Sequence, residues 1–161
     1  MKIIKTFLNF TINESIEVET RKIPSDDEII STIKSKDSKN IPSLLKSCIT
    51  DLNAVKLCLN NGLDPDFDDG LPLRLAIKAG SLDVVKLLLS NPGVKRDSHI
   101  IRWAYEYDNQ NIIDYLIQAG FNKDFDKAIT WIEHSSKLSP EKKTQMIEDI
   151  IKMIDDGTVT A

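Results

Sequence analysis

The chain has 161 residues, 41% of them apolar and 29% charged, with a net charge of −4. That suits one folded domain and lacks the basic excess that draws a protein to nucleic acid or an anionic membrane. Two cysteines are too few for a disulfide framework, and no window approaches the ~18 apolar residues of a spanning helix.

The first ten residues, "MKIIKTFLNF", are interrupted at Lys5, Thr6 and Asn9 and read as no cleavable leader. The chain is therefore expected to be cytoplasmic and reduced. "KIIKTFLNF" and "SIEVETRK", separated by "TINE", are β-branched and aromatic with partial alternation, which predicts a β-hairpin within residues 1–22. "SDDEIISTIKSK" then offers Ser25 and Glu28 as a capping box with acids in the first turn, predicting a helix over 26–36 that covers one end of the helical region beginning at residue 41. "KDSKN" (36–40) reads as a linker.

From residue 41 the chain becomes self-similar. "TDLNAVKLCLNNG" (50–62), "GSLDVVKLLLSNP" (80–92) and "DNQNIIDYLIQAG" (108–120) share one apolar pattern at offsets of 30 and 28 residues. Upstream of each lies a shorter helical pattern: "IPSLLKSCI" (41–49), "LPLRLAIKA" (71–79) and "HIIRWAYEY" (99–107). The unit is helix, tight turn, helix, extended connector. Each helix falls short of the ~12–15 residues needed for even marginal stability alone, so the units must stack to bury their faces. Leu73, Leu75, Ala76 and Ala79 mark the buried side of one helix; Leu82, Val85, Leu88 and Leu89 mark that of the next. Gly80 suits the left-handed reversal between them, and Asp51 and Ser81 are placed as N-caps. Beyond the units, "FDKAITWIEHSS" and "SPEKKTQMIEDIIKMIDDG" predict two capping helices. Ser139 and Pro140 open the second and Gly157 closes it; Met146, Ile147, Ile150, Ile151 and Ile154 line one face.

The order of residues in "LPLRLAIKAGSLDVVKLLL" (71–89) resembles the ankyrin repeat, in which T-P-L-H-x-A is followed by a glycine and a V-V-x-x-L-L second helix. Pro72, Leu73, Ala76, Gly80, Val84, Val85, Leu88 and Leu89 stand in place; Leu71 and Arg74 replace the threonine and histidine. The third unit carries Asp108 where the inter-helix glycine belongs, and the first keeps Pro42, Val55, Leu57, Leu59 and Gly62. The resemblance implies a mainly α fold: an ankyrin-like helical stack with a short N-terminal β-hairpin. The expected division is a hairpin and capping helix over 1–40, three repeats over 41–126 and capping helices over 127–161. The units fall short of the family period of about 33 residues, so the connectors should project little.

The aspartates of "DPDFDDG" (64–70) raise the possibility of a calcium loop, but position 6 of such a loop would be Asp69 and position 12 Leu75. The segment reads as a structural turn, and no metal site or cofactor is expected. Cys48 and Cys58 read as small buried residues. His99 and His134 lie in different units, and no phosphate loop or nucleophile motif is present, so the chain reads as non-catalytic.

What the resemblance implies instead is a module that binds another protein through a concave face of connector tips and exposed inner-helix positions. Those positions are Phe67, Asp68 and Asp69, Arg96 and Asp97, and Phe125 in the connectors, with Lys78, Ala79, Glu106 and Tyr107 on the inner helices. Trp103, in the place of Leu75, reads as core. Residues 41–126 carry nine bases and twelve acids, an excess too small to specify the partner's charge. The resulting expectation is a stoichiometric binder or inhibitor, of the viral anti-defence or immunity type. The alternative is a scaffold that self-associates through residues 1–22. Neither nucleic acid nor membrane is an expected partner.

Overall fold

The computed structural model describes residues 23–96, 98–121, 125–136 and 138–155. The predicted hairpin within 1–22, Asp97, and the helix end at Gly157 lie outside them. So do the side chains of Phe125 and Ile154.

Nine helices form among the described residues: α1 (Asp26–Ser35), α2 (Ile41–Cys48), α3 (Leu52–Asn60), α4 (Phe67–Lys78), α5 (Leu82–Leu89), α6 (Ser98–Glu106), α7 (Gln110–Gln118), α8 (Phe125–His134) and α9 (Pro140–Asp155). α1 opens on the capping box: Glu28 N–H donates to Ser25 Oγ at 3.3 Å while Ser25 N–H donates to Glu28 Oε2 at 2.8 Å. It stops at Lys36, which takes a left-handed conformation, φ 54°. Asp51 caps α3 by accepting from the N–H groups of Asn53 and Ala54 at 2.8 and 3.0 Å. Ser81 occupies the equivalent position before α5 without a side-chain capping bond.

The helices stack in two layers. α2, α4, α6 and α8 pack each on the next as the inner row, and α3, α5 and α7 do the same as the outer row. α1 lies across both α2 and α3 at one end, and α9 packs on α8 at the other. Every helix of the three repeats is short, 8 to 12 residues, and gains its stability from this stacking. Val84, Val85, Leu88 and Leu89 of α5 and Ile112, Ile113, Leu116 and Ile117 of α7 are all buried at helical spacing.

Burial divides into two clusters. A smaller one gathers Ile29, Ile33, Leu44, Leu45, Cys48 and Cys58 around α1 to α3; a larger one runs through α4 to α9. Leu59 and Leu75 are half-buried and pack against both.

Two positions on the expected apolar faces lie outside. Ala79 is exposed because it follows the last residue of α4 as its cap. Ile151 is 47% exposed. α9 has 16 residues and its packing partner α8 only 10, about 24 Å against about 15 Å, so the later turns of α9 outrun the helix that covers Met146 and Ile150. Trp103, expected in the core, is half-buried on the inner row.

The reversal between paired helices is the same with and without glycine. At Gly80, φ +70°, Gly80 N–H bonds Ile77 O and Ser81 N–H bonds Ala76 O, both at 3.0 Å. At Asp108, φ 55°, Asp108 N–H bonds Tyr105 O at 3.2 Å and Asn109 N–H bonds Ala104 O at 3.3 Å. This is the carbonyl-closing turn of a Schellman cap. Aspartate tolerates the left-handed region better than most residues. Here its carboxylate also pairs with Lys142 of α9 at 2.6 Å.

One side chain in the larger core is mismatched to its site. The Tyr105 hydroxyl is buried with no hydrogen-bond partner among the described residues. Burial first, then the carboxylates of Asp149 and Asp114, hold its pKa above the ordinary phenol value. Replacing Tyr105 by phenylalanine removes an unsatisfied donor and keeps the packing. We expect a gain of about 1 kcal/mol, a rise of roughly 2–4 °C in Tm by scanning calorimetry. A fall in Tm would show that the hydroxyl is satisfied.

Candidate protein-binding face

The aspartate-rich connector is a turn, as its sequence predicts. Asp64 Oδ1 accepts from Asp66 N–H at 2.9 Å, and Asp68, Asp69 and Gly70 follow in left-handed conformations (φ 50°, 53° and 81°), so regular helix in α4 starts at Leu71. Lys95, from the next connector, bridges Asp66 and Asp69 at 3.4 and 3.2 Å, and their hydrogen bonds, Asp69 before Asp66, raise its pKa. The bridge is open to water and ties one connector to the next at small energetic gain. Among the described residues no group of three or more His, Cys, Asp or Glu side chains is placed to hold a metal ion. No helix among them is long and apolar enough to cross a membrane.

The proposed contact residues do not form one patch. Phe67 is half-buried and packs against the smaller core; Asp68 and Asp69 are exposed beside it. Arg96 Nη2 donates to Leu89 O at 2.6 Å, closing the C-terminal end of α5, and its guanidinium lies over the Phe121 ring at 6.0 Å. Phe125 begins α8. Lys78 and Tyr107 are brought together: the ammonium sits 5.8 Å from the ring centroid, with Glu106 half-buried on the same helix as its neighbour.

That contact is one of a series the residue pattern alone did not single out. Arg74 lies 5.9 Å over Trp103, Arg102 lies 5.7 Å over Trp131, and on the outer row Lys86 lies 5.4 Å over Tyr115. In every one of these four pairs the cation precedes the ring by 29 residues, one more than the 28-residue offset between the second and third units. The second unit thus lays bases over the aromatics of the third, and the third lays Arg102 over Trp131 of α8. Arg74 and Arg102 are equivalent in register, as are Trp103 and Trp131. Aligning the non-consensus positions of the units at that offset is the signal that would have found them. His99 stacks on Trp103 as well, with ring centroids 6.3 Å apart and planes 23° from parallel.

Beside this row, between the ends of α2 and α4, lies an open groove of about 350 Å³. Ile49, Leu75 and Ala79 supply its apolar lining and Lys46 and Lys78 its charge.

Short helix pairs stacked in two rows, each helix too short to stand alone, define an α-helical repeat protein. The family described as ankyrin repeats (3 copies) matches residues 44–127, more than half of the chain, and the protein belongs to the ankyrin-repeat family. Such repeats are generally protein–protein interaction modules. Neither a curated protein nor a solved structure matches the chain.

Proposed function

We propose that this protein is a stoichiometric binder that holds one partner protein on its inner-helix face and blocks or sequesters it, as an inhibitor or immunity protein does. The observation that carries this reading is the row formed by exposed Arg74 and Lys78 with half-exposed Trp103 and Tyr107. Arginine, tryptophan and tyrosine dominate binding hot spots, and a ring already covered by a cation loses little freedom when a partner docks. Stacked repeats commonly curve into extended concave surfaces, which is the shape this reading asks of the inner row.

The test is affinity capture from host lysate with wild type, a Lys78→Glu/Tyr107→Ala variant and an outer-row Lys86→Glu control, followed by light scattering of the reconstituted complex. Loss of Tyr107 at the centre of such a contact should cost about 2 kcal/mol, some thirtyfold in Kd. The control should bind as wild type in a one-to-one complex. A partner retained by the inner-row variant and lost by the control would move the site to the outer row. Self-association with no captured partner would favour a scaffold.

A further inference from the structure

The net charge of the chain conceals a face of opposite sign. On the regular turns of the three repeats' inner helices α2, α4 and α6, from Ile41, Leu71 and Ser98 onward, the charged residues are Lys46, Arg74, Lys78 and Arg102 against the single acid Glu106, whereas α8 at the end of the row carries Asp126, Lys127 and Glu133 and the whole chain −4. The acids of the repeats lie instead in the connectors and at the helix-pair reversals, at Asp64, Asp66, Asp68, Asp69 and Asp108 among others. Three of the four bases are held over aromatic rings of the following unit. A stacked guanidinium keeps its planar fork of N–H donors in a fixed attitude, which favours carboxylate pairing over a freely moving side chain. Lys46 and Lys78 add two further charges at the rim of a groove with an apolar floor.

Resting on the inner-helix reading above, we infer that the partner presents an extended acidic segment to this face. Carboxylates of that segment pair with Arg74 and Arg102, and one apolar side chain enters the groove between Lys46 and Lys78. Neighbouring packed helices lie about 10 Å apart. A segment in the polyproline II conformation advances about 3.1 Å per residue and returns to the same face every third residue, so carboxylates three residues apart meet equivalent arginines of adjacent repeats.

The experiment pans a phage-displayed library of random 12-residue peptides on the full chain and measures enriched peptides by fluorescence anisotropy. Arg74 and Lys78 are exposed, so Arg74→Glu/Lys78→Glu should remain folded by circular dichroism, melting somewhat lower for the loss of two contacts with aromatic rings; Arg74→Gln serves as a milder second variant. The expected result is enrichment of Asp and Glu at three-residue spacing beside an aliphatic or aromatic residue. Binding should weaken at least tenfold in the double variant, severalfold in Arg74→Gln and with added salt, and less than twofold in the outer-row Lys56→Glu. Enriched peptides without acids overturn the acidic segment, and if they still lose binding in Tyr107→Ala the inner-face reading stands. Peptides indifferent to every inner-row variant overturn both. A single-stranded oligonucleotide that binds more tightly than any peptide, or a library with no enrichment over bare support, overturns the acidic peptide as the ligand.

Discussion

Replacing Leu88 by alanine should lower the unfolding free energy by about 3 kcal/mol, more than other single truncations of α5. Leu88 is fully buried in the larger core, on a helix that packs against α4 within its own repeat and against α3 and α7 on either side. In a stack where each unit contacts only its neighbours, a cavity at that point weakens the contact to both. The measurement is urea unfolding followed by circular dichroism. The midpoint should fall while the slope stays that of wild type, since the folded and unfolded surfaces change little. Leu87, half-buried one position earlier, should lose about half as much on the same change, because less of its side chain leaves water on folding. A Leu88→Ala variant within 1 kcal/mol of wild type would mean that the two rows do not share this core.

The second large effect falls on a backbone position. Gly80→Ala should cost about 2 kcal/mol, roughly half from a Cβ at φ +70° and half from a neighbour. The added methyl would stand 3.0 Å from Asn109 Oδ1. The amide of Asn109 donates to Ile77 O at 2.6 Å, so the side chain at the N-terminal end of α7 closes the C-terminal end of α4 in the preceding repeat. Asn109→Ala alone should cost about 1 kcal/mol. The double variant should then cost less than the sum, because the alanine at 80 has no amide left to displace. Thermal unfolding of the four proteins of this cycle decides it; strict additivity would place the whole cost of Gly80→Ala in the backbone.

Much of this architecture is written locally. The apolar spacing of Val84, Val85, Leu88 and Leu89 specifies which side of α5 is buried. Ser25 and Glu28 specify where α1 starts, and Gly80 where the first helix of its pair stops. The same turn at Asp108 was legible from its place on the repeat grid. What was not legible depends on two units at once. Asn109 stands at the N-cap of α7, yet its amide serves a carbonyl thirty-two residues back, and nothing in its own neighbourhood indicates that. Trp103 stands where Leu75 stands and so reads as core, yet like that half-buried leucine it is only partly covered. It turns to the surface beside Gly70, where an added Cβ would meet the ring at 3.3 Å. The sign of the inner face was hidden because a segment's net charge averages connectors and helices that point different ways.

The division of the interior into two clusters has a consequence for chemistry at sulfur. Cys48 and Cys58 are both wholly buried, and both belong to the smaller cluster. Their mutual hydrogen bond, followed by burial, holds the Cys48 thiol well above the ordinary range, while the same bond lowers the pKa of Cys58, so it is the burial of both sulfurs that keeps them from reagents while the fold is closed. An alkylating reagent therefore meets these sulfurs only during excursions that separate α1, α2 and α3. Its rate of incorporation counts how often the segment from Ile29 to Leu71 comes apart, independently of whether the remaining repeats stay assembled.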